Sequence, residues 1–592
     1  MQRERVRWLV ILVTAGAAGC NFDPTRTCQT SADCVNGATC DPGTNTCVQG
    51  GPSVVLEISV SDPPARANSG SLTVLDPGFG ADAGAAFRRD ESATVTVTSG
   101  STSVDAGSVQ VTVTGVGAGA APVVVQPLVP CVGSASAFCV QGTVSFGPPL
   151  PLEAFRGAVT VTATGADNSG SAAAPATATV LLTRWKWAVQ LGGPIRTSPS
   201  VGATGRIYVG TDAPDGRFQA LTPEGVAAWT QPLDGGAFVA TAAVGAGGAS
   251  ETVYAASAET GHCAAFAVSG ATGAVTRTCD FPATTGGGFL GSLALVQTNG
   301  VESGTGICND TTVGVDGQLI TVRPSAPSVL RCRDDTSAGL LDDRASLASS
   351  GANQAFAGTS AGVLRGFVFS GNDWSPNTWG GGSGGVFVGA AAIGALGIDG
   401  NAVLSATRSR GAFAVDRASG NSLGSAPDGG LSTNPGSIVI APDGVLFGNG
   451  DTSNPQLLKA VVTNSTATAV PASGAIVAAP LLAAAPDAGV LLYDVTQNGY
   501  LEVRNGALAT AWTEQLVTTG GFLASPNADC RRSDAGTPST AAPGILYLAS
   551  TTGQVFAIFT DSVGLDTRAP WPRYQHDARS TGNSTTPLTQ CP

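Results

Sequence analysis

The chain between residues 52 and 183 alternates apolar and polar positions with a period of two. The alternation is clearest in Val54–Val60, Ala93–Thr98, Val109–Thr114 and Ala158–Ala163. Val and Thr suit a pleated sheet that has one buried and one solvated face. Several such strands, separated by turns rich in Gly, Ser, Pro and Asp, predict an immunoglobulin-like β-sandwich over residues 52–183.

From residue 184 onward the pattern becomes a repeat of about 43 to 55 residues. Each unit begins with small residues, and a more apolar strand follows. The starts are Ser198-Pro199, Thr241-Ala242, Gly291-Ser292, Ser346-Leu347, Ala390-Ala391, Pro435-Gly436, Ala479-Pro480 and Ser525-Pro526. Four-stranded units at this spacing are typical of propeller blades, which bury their faces only against neighbouring blades. Residues 184–592 are therefore predicted to form an eight-bladed β-propeller, or a seven-bladed one if the weak unit near 289–335 is an insertion.

The repeats resemble the PQQ-type repeat of quinoprotein-like propellers. A strand such as Ile207–Thr211 leads to a turn such as Ala220–Gly225 and then to Trp229; Ala267–Gly273 and Ala414–Gly420 repeat the turn. Glycine permits a positive φ between the third and fourth strands, and the tryptophan is expected to dock between blades.

The segment Trp571–Gly582 is similar to one that flanks propellers of the same family. We expect it to pack beside the first and last blades. His576 and Asp577 would then form a structural hydrogen-bonded pair. The alternative is a catalytic dyad, but no matched nucleophile is identifiable.

The N-terminal residues 1–19 are predicted to be a signal peptide. Arg3, Arg5 and Arg7 precede a short apolar run, and small residues then lead to Cys20. The sequence from Ala17 to Cys20 resembles the lipobox of bacterial lipoproteins, which implies a lipid anchor on Cys20. The alternative is a soluble secreted protein with a free thiol. By the same resemblance, Asn at position 21 instead of Asp favours the outer membrane.

The cysteine count supports export and lipidation. Thirteen cysteines are an odd number, and assigning Cys20 to lipid leaves twelve. Even numbers and short spacings in an exported chain predict disulfides. The predicted groups are Cys28, Cys34, Cys40 and Cys47, with open connectivity in a cysteine-rich stalk over residues 20–50, then Cys131 with Cys139, Cys263 with Cys279, Cys308 with Cys332, and Cys530 with Cys591. Zinc is the alternative for the first four, but their spacing lacks a C-x-x-C knuckle.

Composition narrows the function. Only 12% of the residues are charged, and the formal net charge of −13 excludes a basic surface for nucleic acid. Two lysines and two histidines leave few groups for Schiff-base or histidine-base chemistry. The quinone-dependent alcohol dehydrogenases of the resembled family have a disulfide between adjacent cysteines and acidic calcium ligands. Here no cysteines are adjacent, and those acidic residues match no motif.

The sequence therefore predicts a non-enzymatic lipoprotein of the cell envelope that has no catalytic residues, cofactor or metal. It resembles the non-catalytic, lipid-anchored propellers of outer-membrane barrel assembly. Its expected partners are the membrane, through Cys20, and a protein or glycan on the propeller loops. A quinone-dependent oxidoreductase and an adhesin or carbohydrate-binding surface protein are the alternatives.

Overall fold

The structure is a computed structural model of the 592-residue chain. It describes residues 39–41, 46–48 and 54–592, apart from short internal gaps. The gaps are residues 67, 69, 118, 120, 230–232, 235, 259–260, 283–287, 311–316, 325–332, 343–344, 352, 397–398, 409–410, 427–433 and 534–536. The predicted signal peptide, Cys20, Cys28, Cys34 and Cys332 lie outside the described residues.

The N-terminal part forms a small hairpin and a two-sheet sandwich. Its strands are β1 Thr39–Asp41, β2 Thr46–Val48, β3 Glu57–Val60, β4 Leu72–Thr73, β5 Ala86–Arg88, β6 Ser92–Ser99, β7 Gln110–Thr114, β8 Val123–Val124, β9 Val129–Pro130, β10 Phe138–Ser145, β11 Arg156–Thr164 and β12 Ala176–Thr183. Short 3-10 helices span Pro77–Ala85 and Ala106–Ser108. The strand orders are β3-β6-β10-β9 and β5-β12-β11-β7-β8, and the pair β5 and β12 is parallel.

The predicted alternation sets the core of the sandwich. In β6 the side chains of Ala93, Val95 and Val97 are buried, whereas Thr94 is exposed and Thr96 is half-buried. Val111, Val159 and their neighbours from the other sheet join them in one hydrophobic cluster. The short β4 pairs instead with a strand beyond residue 184, so the sandwich and the following domain share a sheet.

The C-terminal part consists of short antiparallel strands. They are β13 Trp185–Gln190, β14 Ser200–Val201, β15 Ile207–Gly210, β16 Arg217–Leu221, β17 Leu233–Asp234, β18 Ala243–Val244, β19 Thr252–Ser257, β20 His262–Ser269, β21 Val275–Pro282, β22 Gly288–Phe289, β23 Ala294–Thr298, β24 Val301–Asn309, β25 Gln318–Val322, β26 Arg333–Ser337, β27 Ala348–Ser349, β28 Gln354–Gly358, β29 Val363–Ser370 and β30 Asp373–Gly382.

The later strands continue in the same way. They are β31 Ala392–Leu396, β32 Asp399–Thr407, β33 Gly411–Asp416, β34 Ser422–Ser425, β35 Val439–Ala441, β36 Gly444–Gly448, β37 Gln456–Val461, β38 Thr466–Pro471, β39 Leu481–Ala484, β40 Val490–Val495, β41 Tyr500–Asn505, β42 Thr510–Gln515, β43 Asn527–Asp529, β44 Arg531–Arg532, β45 Pro538–Ser539, β46 Gly544–Ala549 and β47 Gln554–Thr560. Two further 3-10 helices span Gly248–Ser250 and Val462–Asn464.

These strands form a β-propeller. Beyond residue 184 the described strands form eight sheets of four or five strands, and in each sheet one strand closely follows one of the eight small-residue starts. We number the sheets one to eight in the order of those starts. Sheets one to seven are built from consecutive strands, from β14–β17 to β39–β42.

The eighth sheet joins the two ends of the propeller. It combines β43, β46 and β47 from the end of the chain with β13 from the start, in the order β4-β13-β47-β46-β43. Trp187 lies opposite Ala557, and Val189 lies opposite Val555. Pairing of the first and last strands closes the ring and removes a free sheet edge at the joint.

The predicted tryptophan docking between blades is present. The Trp229 indole donates to the carbonyl of Gly270 in the next sheet at 3.0 Å. Gly273, with φ of 77°, lies beneath this ring, and a Cβ there would come within 2.8 Å of it. Trp187 and Gly225 repeat the arrangement one sheet earlier. Each turn thus requires glycine for two reasons: the positive φ disfavours other residues, and any side chain would clash with the indole.

The disulfides agree with the sequence prediction in part. Cys131 bonds Cys139, and Cys530 bonds Cys591, as predicted. Cys263 bonds Cys308, so the predicted pairs of Cys263 with Cys279 and Cys308 with Cys332 are wrong. The physical reason is that β20 and β24 belong to neighbouring sheets, and the Cα atoms of Cys263 and Cys308 lie 6.0 Å apart across that interface.

Three further cysteines of the predicted set, Cys40, Cys47 and Cys279, lie in described strands. Cys279 is itself disulfide-bonded. In the N-terminal hairpin the backbones of Cys40 and Cys47 lie directly opposite each other.

A buried ion-pair cluster joins the sandwich to the propeller. Asp561, directly after β47, contacts Arg89 at 2.7 Å and also pairs with Arg184. Both arginine side chains are buried. Arg184 donates to the carbonyls of Leu152 and Ala154 as well. The junction is therefore held by directional contacts from three chain segments.

Within the described part of the chain, no helix has the length and apolar character needed to span a membrane.

Candidate functional site

The propeller encloses a central cavity of about 420 Å³. The segments that precede or connect the strands of seven of the eight sheets line it, so it lies on the axis of the ring. This volume falls within the range of small-molecule sites, about 300–1,000 Å³. The cavity is the candidate functional site.

A ring of hydroxyl groups forms the wall of the cavity. Each small-residue start places one residue, within it or directly after it, at an equivalent position. At six of these eight positions the backbone N–H donates to the hydroxyl of the next sheet. The donor and acceptor pairs are Ser198 to Thr241 at 2.8 Å, Thr241 to Ser292 at 2.9 Å, Ser292 to Ser346 at 2.8 Å, Ala390 to Ser437 at 3.2 Å, Ala479 to Ser525 at 2.8 Å and Ser525 to Ser198 at 2.9 Å.

The hydroxyl ring was visible in the sequence only as a repeated preference for small residues. Six of its eight positions carry Ser or Thr, and the other two are Ala390 and Ala479. A buried backbone N–H requires a partner. A short hydroxyl side chain from the next sheet supplies one without filling the centre of the ring. The sequence prediction therefore located these residues but missed their role.

The C-terminal segment closes one end of the cavity. We call residues 564–584 the closing segment. Its carbonyls accept backbone hydrogen bonds from the inner strands of six sheets, donated by Val201, Val244, Leu295, Ser349, Ile440 and Leu482. As expected, the segment contacts the first sheet, where Val201 donates to Ala578, and the last sheet, where the Asn527 amide donates to the same carbonyl. It also pairs with inner strand edges of further sheets around the ring, which the sequence did not predict.

Tyr574 forms the floor of the cavity. Its hydroxyl lies 2.9 Å from the Ser292 hydroxyl and 2.6 Å from that of Ser346. Burial raises the pKa of Tyr574, so the phenol is neutral and able to donate. The closing segment is thus bonded to the hydroxyl ring as well as to the strands.

His576 and Asp577 have a structural role within the closing segment. Their Nδ1 and Oδ2 atoms are 3.5 Å apart, and both side chains are buried. The imidazole packs on Trp571 with ring centroids 4.8 Å apart. Burial acts to raise the pKa of Asp577, but His576 and Thr581, whose hydroxyl donates to it at 2.5 Å, bring the pKa below its usual value.

The serine nearest to this pair in sequence is engaged elsewhere. The Ser580 hydroxyl accepts from buried Arg573 at 2.9 Å and lies 2.9 Å from that of Ser200. Burial lowers the pKa of Arg573 to about 10, which leaves the guanidinium charged at neutral pH. His576, Asp577 and Ser580 therefore do not form a serine triad.

The open end of the cavity carries polar groups and paired charges. Arg196 contacts Asp212 at 3.0 Å, and Arg408 contacts Asp342 at 2.8 Å. Asn434 and Gln497 add amides to the lining. This arrangement offers hydrogen-bond donors and acceptors with little net charge.

The described lining does not fit a quinone held by a calcium ion. Among its described residues, Asp212 is the one carboxylate and Tyr574 the one aromatic side chain. Asp212 is paired with Arg196, and the Tyr574 hydroxyl is hydrogen-bonded to Ser346. No cluster of three or more His, Cys, Asp and Glu suited to a metal ion occurs in the described part of the chain. Ca²⁺ takes six to eight oxygen ligands.

The G-x-S-x-G sequence at 381–385 is a structural turn. Ser383 is buried, and its hydroxyl donates to the carbonyl of Gly385 at 2.6 Å. A nucleophile elbow would instead expose the hydroxyl above a strand-to-helix turn.

No protein-family model and no curated protein matches the chain. Several solved structures are similar to it at low identity. BamB from Moraxella catarrhalis is 13% identical, with a TM-score of 0.39, over 63% of this chain and 95% of its own. A europium-containing methanol dehydrogenase is 9% identical, with a TM-score of 0.44, over 64% and 93%. Sqt1 of Saccharomyces cerevisiae is 10% identical, with a TM-score of 0.44, over 63% and 98%. At these values the likenesses carry no functional argument.

Proposed function

We propose that this protein is a non-enzymatic, lipid-anchored protein of the cell envelope, whose propeller binds a partner at the open end of its central cavity. The anchor is Cys20, the sandwich is an Ig-like spacer, and the outer membrane is the expected location. The proposal rests on one observation: the titratable groups near the axis contact other parts of the closing segment. Arg573, His576 and Asp577 hold the closing segment together, so they are not available for proton transfer to a substrate.

The groups that remain at the open end suit recognition. Paired arginines, Asn434, Gln497 and the ring hydroxyls match a polar ligand with many hydrogen-bonding groups, such as a protein loop or a glycan. Because the closing segment, which contains Tyr574, closes one end of the cavity, a ligand enters from the other end only. Binding therefore places the partner on one defined face of the propeller.

Site-specific photocrosslinking in the native envelope tests this proposal. A photoreactive amino acid at Leu523, in the cavity lining, is expected to capture a partner; the same group at Val275, exposed on β21, is the matched control. Arg408→Gln should reduce the Leu523 product several-fold, because the guanidinium borders the site. Lys459→Gln, which breaks an exposed ion pair with Asp443, should not.

Two results would contradict the proposal. Identical crosslinked products from Leu523 and Val275 would show that the cavity is not the binding site. A quinone absorbance in protein purified from the native envelope, together with alcohol oxidation that Arg408→Gln abolishes, would establish the oxidoreductase alternative instead.

A further inference from the structure

The sandwich has two ends with different roles. Glu57, at the start of β3, lies opposite Thr98 of β6, and Thr98 lies opposite Cys139 of β10. The chain therefore enters the sandwich at the same end as the loop closed by the Cys131–Cys139 disulfide. The opposite end, near Arg89 and Arg184, contacts the propeller. We call the first end, formed by residues 54–57, 99–105, 131–139 and 167–171, the distal end.

Exposed valines concentrate at the distal end and on the strands that lead to it. Val132, at the tip of the disulfide loop, is 99% exposed, and Val55, where the chain enters, is 63% exposed. Val129 on β9 is 46% exposed, and Val124 on β8 is 51% exposed. These are four of the seven large hydrophobic residues exposed in the described part of the chain. A single exposed valine needs no explanation, but a group of them in one region indicates a contact surface.

Charge is nearly absent from the same region. Residues 106–152 contain no Asp, Glu, Lys or Arg, although 12% of the whole chain is charged. The distal end holds three carboxylates, Glu57, Asp105 and Asp167, and no basic residue. Asp167 is buried, and its Oδ1 accepts hydrogen bonds from Ser169 and Ser171 at 2.9 Å. A surface without basic residues does not attract anionic lipid headgroups.

We propose that the distal end rests on the headgroup region of a zwitterionic lipid bilayer, with Val132 and Val129 inserted at the interface. The inference rests on the proposed anchor at Cys20. Residues 21–53 separate that cysteine from Val54. The 12 residues that lie outside the predicted stapled module and its hairpin, 21–27 and 49–53, can extend over roughly 40 Å. The tether is thus long enough to allow the distal end to reach the bilayer. The exposed valines supply the affinity for the bilayer surface. The propeller, at the other end of the sandwich, then faces away from the bilayer.

Quenching by labelled lipid measures the contact directly. The lipidated full-length protein is reconstituted in phosphatidylcholine vesicles that contain a doxyl-labelled phosphatidylcholine. Val132→Trp should show about a twofold loss of the emission added by the new tryptophan, because an interfacial side chain lies about 5–10 Å deep. Val275→Trp makes the same substitution at an exposed valine of the propeller, and its added emission should not be quenched. The unsubstituted protein supplies the background of the native tryptophans.

Hydrogen exchange of the unsubstituted protein provides a second measurement. Amides of residues 127–140 should exchange more slowly on vesicles than in the unacylated Cys20→Ser protein, whereas those of β21 should not change. This measurement needs no substitution in the sandwich.

The outcomes separate the contact from the anchor. If both tryptophan variants float with the vesicles and Val132→Trp is quenched no more than Val275→Trp, the membrane contact is wrong and the anchor stands. The valines would then belong to a protein interface. If the protein is not retained on vesicles, both the anchor and the proposed contact are wrong. If Cys20→Ser is retained equally well, the anchor is wrong.

Discussion

At the residue scale, the local chemistry of the blade turns was predictable. The turn motif predicted the positive φ of Gly225 and Gly273, because that angle depends on a few neighbouring residues. The docking of a tryptophan between blades was predicted too, but not which one: the indole on each glycine belongs to the preceding sheet, Trp187 on Gly225 and Trp229 on Gly273. The hydrogen bonds that join the Ser and Thr hydroxyls into a ring were not predictable. A Ser or Thr at a strand start has many partners open to it, and only closure of the propeller brings Ser198 beside Thr241 and Ser525.

Gly273→Ala tests the docking. The new Cβ would meet Trp229 at 2.8 Å, and its φ of 77° disfavours alanine. We expect a loss of about 1–3 kcal/mol from steric conflict, in addition to the backbone strain. Gly371→Ala is the matched control, because its φ is 66° and no atom lies within 4 Å of the new Cβ. Guanidinium unfolding compares the two. Equal destabilisation would show that the indole contact is unimportant.

At the element scale, the sequence predicted where the strands lie but not which distant segments contact each other. Alternation and repeat spacing defined the sandwich strands and the starts of the propeller sheets, because both depend on local periodicity. The closing segment and the Cys263–Cys308 bond depend on which elements meet in space. No residue pattern within the closing segment indicates that six sheets donate to it. The ion-pair junction at Asp561 was missed for the same reason.

Asp561→Asn tests the junction between sandwich and propeller. Burial acts to raise the pKa of Asp561, but Arg184 and Arg89 outweigh it and lower the pKa to about 2. Because the folded pKa lies below the unfolded value of about 3.9, the carboxylate stabilises fully above pH 4, and its contribution is lost as the pH falls towards 2. Leaving two buried arginines without this charge should cost about 3 kcal/mol at pH 7.

Guanidinium unfolding of both proteins between pH 7 and pH 2 checks this expectation. The difference in unfolding free energy between wild type and Asp561→Asn should shrink at the acidic end. Asp443→Asn, which removes an exposed pair with Lys459, is the control and should cost less than about 1 kcal/mol. A difference for Asp561→Asn that stays constant with pH would contradict the assigned role.

At the scale of the whole molecule, the sandwich spaces the propeller from the point where the chain enters. The distal end and the ion-pair junction lie at opposite ends of the same two sheets. The order of these parts was predictable from the sequence, because composition and periodicity change near residue 184. The orientation of the cavity relative to the closing segment was not, since it arises only when the ring is complete.

Cys20→Ser tests the anchor at this scale. The substituted protein should leave the membrane fraction, while the propeller keeps its unfolding midpoint, because the first propeller strand begins at Trp185. Fractionation of envelopes and thermal unfolding of the purified protein measure the two properties. Membrane retention without acylation, or a mature N-terminus other than residue 20, would contradict the anchor.

The pairing of β13 with β47 sets an order for biosynthesis. A chain synthesised from its N-terminus presents Trp185 long before Gln554, so β13 pairs with β47 only after nearly all of the polypeptide has been made. The sandwich core between residues 54 and 183 is complete by then. Any product that terminates before β47 keeps an exposed β13 edge, and such unfinished molecules should be cleaved by proteases faster than the complete protein.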